Sequence, residues 1–141
     1  MPLTRHKKYS VNVECMIEAE PEIIFDAVTH NTDRWDFYNI ELQNTDAGSE
    51  ITIRDEDGNT STEKVVAFEK PGLFARTEQR YAPSGEPFET EIRFYFTKTN
   101  KGTLVHVEQS GFEDMLLCEQ DKGGWISALA ALKAVCEESN A

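Results

Sequence analysis

The side chains able to do chemistry are few and scattered. His6, His30 and His106 share no spacing that would gather them around one metal ion. They lie in an N-terminal tail, at the end of a helical segment and on a strand face turned from the expected interior. "RDEDGNTS" supplies Asp55, Asp57 and Asn59, the opening of a calcium loop, but lacks its closing glutamate. An Asp-Gly hairpin turn accounts for the same residues. Phosphate-binding loops, nucleophile elbows, zinc-protease helices and dinucleotide fingerprints are all missing from the sequence. No catalytic residue, metal ligand or cofactor is therefore assigned. What remains is a polar set on strands: Glu78, Arg80, Tyr81 and Gln109, types suited to acid–base or orienting work.

Two of these raise a question of direction. Gln109 falls on the apolar side of its strand, where a buried amide requires a partner. Arg76, Glu78 and Arg80 share a side with Phe74 in "FARTEQRY". A solvated sheet face with cross-strand ion pairs is the expected setting; an inward face would make the interior polar at one end.

The elements that position these residues follow from periodicity. Turn clusters recur at "TDAGS", "EDGN", "EKPG", "APSGEP" and "TNKG". The intervals between them are of strand length, so Tyr38 to Gly111 reads as a six-stranded antiparallel meander. Ile92, Phe94 and Phe96 share one side, as do Val105, Val107 and Gln109. An earlier strand places Val11, Val13, Cys15 and Ile17 together. Pro21 then opens a helix with an Ile24, Phe25 and Val28 stripe. "NTDRWDF" reads as a second short helix or turn, with Trp35 and Phe37 plugging the core. A final helix from about Glu119 to Glu138 carries Trp125, Ala128, Leu129, Leu132, Val135 and Cys136 at helical spacing. Gly123 and Gly124 within it point to close backbone approach to the sheet or a bend at a cavity mouth.

Composition narrows the class. The 141 residues suit a single domain, 1–141, with 1–8 as a flexible tail. Net charge is −12, without a Lys/Arg cluster beyond "RHKK", which argues against nucleic acid. No apolar run is long enough for a membrane span. The start lacks the apolar centre of a signal peptide. Cys15, Cys118 and Cys136 are odd in number and without CxxC spacing, so they read as free thiols in a reducing, cytoplasmic setting. Either a monomer or a homodimer is compatible with these features.

The order strand, two short helices, meander and long helix resembles the START-like SRPBCC superfamily, in its AHSA-type branch (activator of heat-shock protein ATPase homologue-like). The resemblance is carried by "VNVECMIEAEPEIIFDAVTH", by Trp35, by "EKVVAFEKPGLF" and by "KGTLVHVEQSGFE" with "GGWISALAALK", roughly Ser10 to Cys136. It implies an α+β helix-grip fold, a seven-stranded antiparallel sheet wrapped around the C-terminal helix, with a pocket between them. Gly111-Phe112 would end the last strand, and the acidic stretch after it would climb over the pocket edge. Gln109 stands where the family often has histidine, so no imidazole is available there. Trp35, Phe37, Phe94, Phe96, Val107, Gln109, Trp125, Leu129 and Leu132 are the ligand-binding candidates; the residues alone leave open whether they line a cavity or fill a core. Three functions follow as expectations: binding of a small, largely apolar molecule such as a lipid or aromatic metabolite; a heat-shock-chaperone interaction module; and, ranked third, a cyclase or hydrolase using Glu78, Arg80, Gln109 and Tyr81.

Overall fold

The computed structural model describes residues 8–30, 32, 35, 36 and 38–139. Its elements run β1 (Tyr9–Ile17), α1 (Pro21–Thr29), β2 (Tyr38–Leu42), β3 (Glu50–Asp55), β4 (Thr60–Glu69), β5 (Leu73–Tyr81), β6 (Pro87–Thr99), β7 (Gly102–Phe112) and α2 (Met115–Ser139). The sheet order is β1-β7-β6-β5-β4-β3-β2 with antiparallel neighbours throughout. This is the helix-grip arrangement expected from the alternation. The expected tail lies outside the described residues apart from Lys8.

Period-two alternation produces the buried face. Val11 and Ile17 from β1, Ile92, Phe94 and Phe96 from β6, and Val105, Val107 and Gln109 from β7 are all buried. Trp125, Leu129, Leu132 and Cys136 of α2 cover them. Each fully buried Leu or Phe contributes roughly 1.5–3 kcal/mol. Phe25 of α1 adds an aromatic cluster, with ring centres 5.0 Å from Phe68 and 5.5 Å from Phe96. Gly102 makes the β6–β7 turn possible. Its φ is +131°, and a Cβ there would stand 2.3 Å from the Ile17 carbonyl oxygen.

The sheet divides within β4. Thr60–Lys64 pairs with β3, while Val65–Glu69 pairs with β5. Where the β4–β5 ladder stops, Glu63 replaces it: its carboxylate accepts the Gln79 N–H and the Thr77 hydroxyl, each at 2.7 Å. At the β3–β4 turn, Asp55 Oδ1 accepts the N–H groups of Asp57 and Asn59, each at 2.9 Å, so these residues form a closed hairpin turn.

Three local expectations are corrected. α2 starts at Met115, not near Glu119, because Asp114 caps it: its Oδ1 accepts the Leu117 N–H at 2.9 Å. β7 ends at Phe112 as expected, but the acidic stretch after it is not a loop over the pocket edge, because α2 begins at Met115. After α1 the chain turns at Thr32, as the reading of a second short helix or turn allowed, with the Trp35 and Asp36 N–H groups donating to the Thr32 carbonyl. The rest of that segment, including Phe37, lies outside the described residues. Gly123 and Gly124 do not approach the sheet; a Cβ at either would meet nothing within 4 Å.

That last fact gives a stability prediction. Gly123 is exposed on a continuous helix, so only its backbone freedom matters. Gly123→Ala is expected to stabilise the fold by about 0.5–1 kcal/mol, seen as a higher urea midpoint with unchanged slope. A lower midpoint would mean that the position serves something other than helix.

Candidate functional site

α2 crosses the buried sheet face nearest β1 and is tied at both ends. Near its start, Asp121 grips Arg80 of β5 with both carboxylate oxygens, one contact being Arg80 Nη2 to Oδ1 at 3.0 Å. Near its end, Glu137 accepts the Glu18 N–H at 2.9 Å. Between the first tie and the β2 side of the sheet a cavity of about 510 Å³ remains, open to solvent along one side. Trp35, Tyr38, Gly124, Trp125, Ala128 and Ala131 form its mostly apolar walls, and Asp36, Glu78, Gln109, Gln120, Asp121 and Ser127 its polar ones.

The polar end is a connected network. Gln109 donates through Nε2 to Glu78 Oε2 at 2.9 Å and to Thr90 Oγ1 at 3.0 Å. Its Oε1 accepts the Trp125 indole N–H at 2.8 Å. Thr90 in turn donates to the Glu78 carbonyl at 2.8 Å. Behind this layer lies Arg76, only 2 % exposed. It donates to the Tyr38 hydroxyl oxygen and to the Thr77 carbonyl, both at 3.1 Å, and stands 3.7 Å from Glu78 Oε1. A buried guanidinium is tolerated only when paired and hydrogen-bonded, and Tyr38, Glu78 and the Thr77 carbonyl supply that. The inward reading of this face is therefore the one observed. The solvated face is corrected: Arg76 is core, Glu78 lines the cavity, and Arg80 bridges to the helix.

Of the candidate ligand residues, Trp35, Gln109 and Trp125 stand on the cavity wall. Trp35 is held there by its indole N–H, which donates to the Ala27 carbonyl at 2.9 Å. Phe94, Phe96, Val107, Leu129 and Leu132 are buried but do not border this cavity. Phe94 supports it from behind, its ring centre 5.5 Å from Trp125 in edge contact. Among the polar residues, Glu78, Arg80 and Gln109 come together, whereas Tyr81 is 61 % exposed and bonded to Gln79 instead. His106 faces away, against Asn12 at 2.8 Å. Among the described residues no cluster of His, Cys, Asp and Glu is arranged for a metal ion. The cysteines are free thiols, Cys118 and Cys136 buried and Cys15 half-buried; burial pushes the Cys15 and Cys118 thiols up.

Sequence reasoning missed Tyr38 and Asp121, and it placed Arg76 on a solvated face in preference to the inward one. Asp121 lies four residues before Trp125, on the same helical face, a signal already available within the helix expected from about Glu119. Arg76 shares parity with Phe74, but no local pattern announces Tyr38 as its partner.

Tyr38 has a measurable consequence. Burial pushes its hydroxyl up from 10.0 to about 12, against the pull of Arg76. The folded state therefore keeps a proton that the unfolded chain loses above pH 10. The contribution is complete below pH 10 and is lost as pH rises toward 12, amounting to roughly 2–3 kcal/mol. Urea midpoints across this range should fall more steeply for the wild type than for Tyr38→Phe. Parallel curves would contradict the assignment.

A curled antiparallel sheet, a covering C-terminal helix and a cavity between them define a helix-grip protein. The chain belongs to the family described as Activator of Hsp90 ATPase homolog 1-like protein, whose model matches residues 18–137. Solved structures share the fold. Protein MLL2253 from Mesorhizobium loti superposes with a TM-score of 0.79 at 24% identity, covering 92% of this chain and 98% of that one. The Aha1 dimer from Colwellia psychrerythraea, determined in solution, gives 0.74 at 22% identity over 92% and 96%. CalU16 from Micromonospora echinospora gives 0.68 at 20% identity over 88% and 71%. No match was found among curated proteins. No helix among the described residues is long and apolar enough to cross a membrane.

Proposed function

We propose that this protein binds a small, largely apolar molecule, without transforming it, in the cavity between the sheet and α2. The observation carrying this reading is the cavity itself. Its volume of about 510 Å³ falls within the roughly 300–1,000 Å³ common for small-molecule sites. Its walls combine aromatic surfaces with a few placed polar groups, the usual composition of such sites. Trp35 and Trp125 are pinned by their own hydrogen bonds, so the walls are preorganised and little ordering is needed on binding.

N-phenyl-1-naphthylamine, a neutral apolar fluorophore, tests this. It should bind saturably at one site and raise the melting temperature; at a hundred times its Kd the gain is about 2.7 kcal/mol. Ala128→Phe places a ring at the wall and should abolish binding while leaving a cooperative melt. Unchanged binding in that variant would remove the cavity as the site.

A chaperone-directed role is the second reading, supported by family membership and by apolar residues left outside on α2: Leu116 is 76 % exposed, and Met115 and Ile126 are each 54 % exposed. An Hsp90-type ATPase assayed with and without the protein checks it. A rate increase lost in Leu116→Glu/Ile126→Glu would support it, and an unaltered rate would end it.

A further inference from the structure

We infer that Gly124 is the specificity-determining position of the cavity: it leaves a slot in the α2 lip, and the occupant is an apolar body whose slender polar chain leaves through that slot. This rests on the cavity reading above and adds the shape and orientation of what binds.

Three residues of α2 both border the cavity and stand exposed: Gln120, Gly124 and Ser127. Their spacing of four and then three puts them on one helical face, so they form the outer lip. Asp121, Trp125, Ala128 and Ala131 border the cavity inside that lip, buried or half-buried. Gln120 and Ser127 raise side chains along the lip, whereas Gly124 has none. A Cβ at Gly124 would meet nothing within 4 Å among the described residues. Helical side chains lean toward the N-terminus, so Ser127 and Ala128 are the ones that reach back over Gly124. Both are short, and the gap stays open.

The helix gains nothing from this glycine. Glycine is a poor helix former, and no close contact with the described residues requires one here. It does not serve a bend either, since α2 runs unbroken from Met115 to Ser139. What the missing side chain changes is the outline of the cavity. Gly123 gives the contrast: it is equally exposed and equally free of close neighbours, yet it does not border the cavity.

The two parts of the occupant follow from the two parts of the site. Trp35, Tyr38 and Trp125 supply aromatic wall further in, and both indoles are held by their own hydrogen bonds. A ring system seated against them fills the enclosed part. Along the lip, Gln120 and Ser127 stand about 10 Å apart at the helical rise, less the bulk of their own side chains. That is room for a chain and not for a second ring system. A chain leaving over Gly124 passes directly into water, where its ether or hydroxyl groups keep their hydration and need no protein partner.

Two neutral probes with one ring system test this by displacing N-phenyl-1-naphthylamine: 2-(1-naphthyl)ethanol and its tetraethylene glycol monoether. On the wild type the two should displace within about threefold of each other. In Gly124→Leu the alcohol should stay within about threefold of its wild-type value, while the ether weakens about tenfold or more, the scale of an overpacked site. Gly123→Leu should leave both unchanged. A tenfold or larger loss on adding the chain in the wild type, equal losses for both probes in Gly124→Leu, or an ether indifferent to Gly124→Leu overturns the inference and leaves the cavity reading intact. Failure of the fluorophore itself to bind the wild type removes both. Should the leucine variant melt without cooperativity, Gly124→Gln repeats the comparison with the side chain that Gln120 already carries on the same lip.

Discussion

Replacement of Arg76 by alanine is expected to cost about 3–5 kcal/mol, the range for breaking a buried, hydrogen-bonded charge pair by removing one member. The side chain is 2 % exposed. Its loss takes the donor from Tyr38 and from the Thr77 carbonyl, and the nearest cation from Glu78 Oε1. Against a typical domain stability of about 5–15 kcal/mol, such a variant would be marginal. Arg76→Met retains the apolar stem and removes only the charged head, so its smaller loss measures the head alone. The single and double variants of Arg76→Met and Glu78→Gln should show a coupling of about 1–3 kcal/mol in urea melts, because the residues share one network. Additive effects would mean that Arg76 is held by packing and by Tyr38 rather than by Glu78.

Trp125→Ala carries the second large expectation, about 3–5 kcal/mol for a buried Trp. Trp125 is 8 % exposed, meets Phe94 edge to face and donates to Gln109. Trp125→Phe keeps a ring against Phe94 but leaves Gln109 Oε1 without its donor, at about 1–3 kcal/mol. The gap between the two variants, read from denaturant midpoints, apportions ring packing and hydrogen bonding. Equal losses would show that packing contributes little, contrary to the burial. The same pair bears on binding. The Phe variant should still accept the naphthyl probe, because the wall remains aromatic, whereas the Ala variant confounds lost binding with lost fold.

Much of the architecture was legible locally. Turn residues between Thr45 and Ser49, and between Glu56 and Asn59, sit in the gaps flanking β3. Alternation assigned Phe94, Phe96 and Val107 to the inner face, and the Trp125–Leu129–Leu132–Cys136 stripe to the underside of α2, all of which are buried. Alternation names a face but not what lies opposite it. Phe94 and Gln109 share the buried side, yet only Gln109 reaches the cavity, since separation from α2 is set by how far the sheet curls. Arg76 shows the same limit more sharply. Its parity with Phe74 was visible, but a charge is expected in water unless a partner is known. Tyr38 lies 38 residues earlier in the chain. The start of α2 was lost for a local reason: Met115, Leu116 and Leu117 read as loop until Asp114 is seen as a cap. The polar end of the cavity therefore became visible only when four distant segments, those of Asp36, Glu78, Gln109 and Asp121, were brought together.

Two tryptophans occur in the chain, and both stand on the cavity wall with their indole N–H groups engaged. A titration of ¹⁵N-labelled protein with N-phenyl-1-naphthylamine, followed at the two indole N–H resonances, is thus the most direct test of the cavity as a binding site. Both resonances should move together and saturate at one equivalent, with the outer-face amides of Tyr95 and His106 unmoved. Indole signals that stay in place while the probe binds, or shifts confined to the outer sheet face, would contradict it.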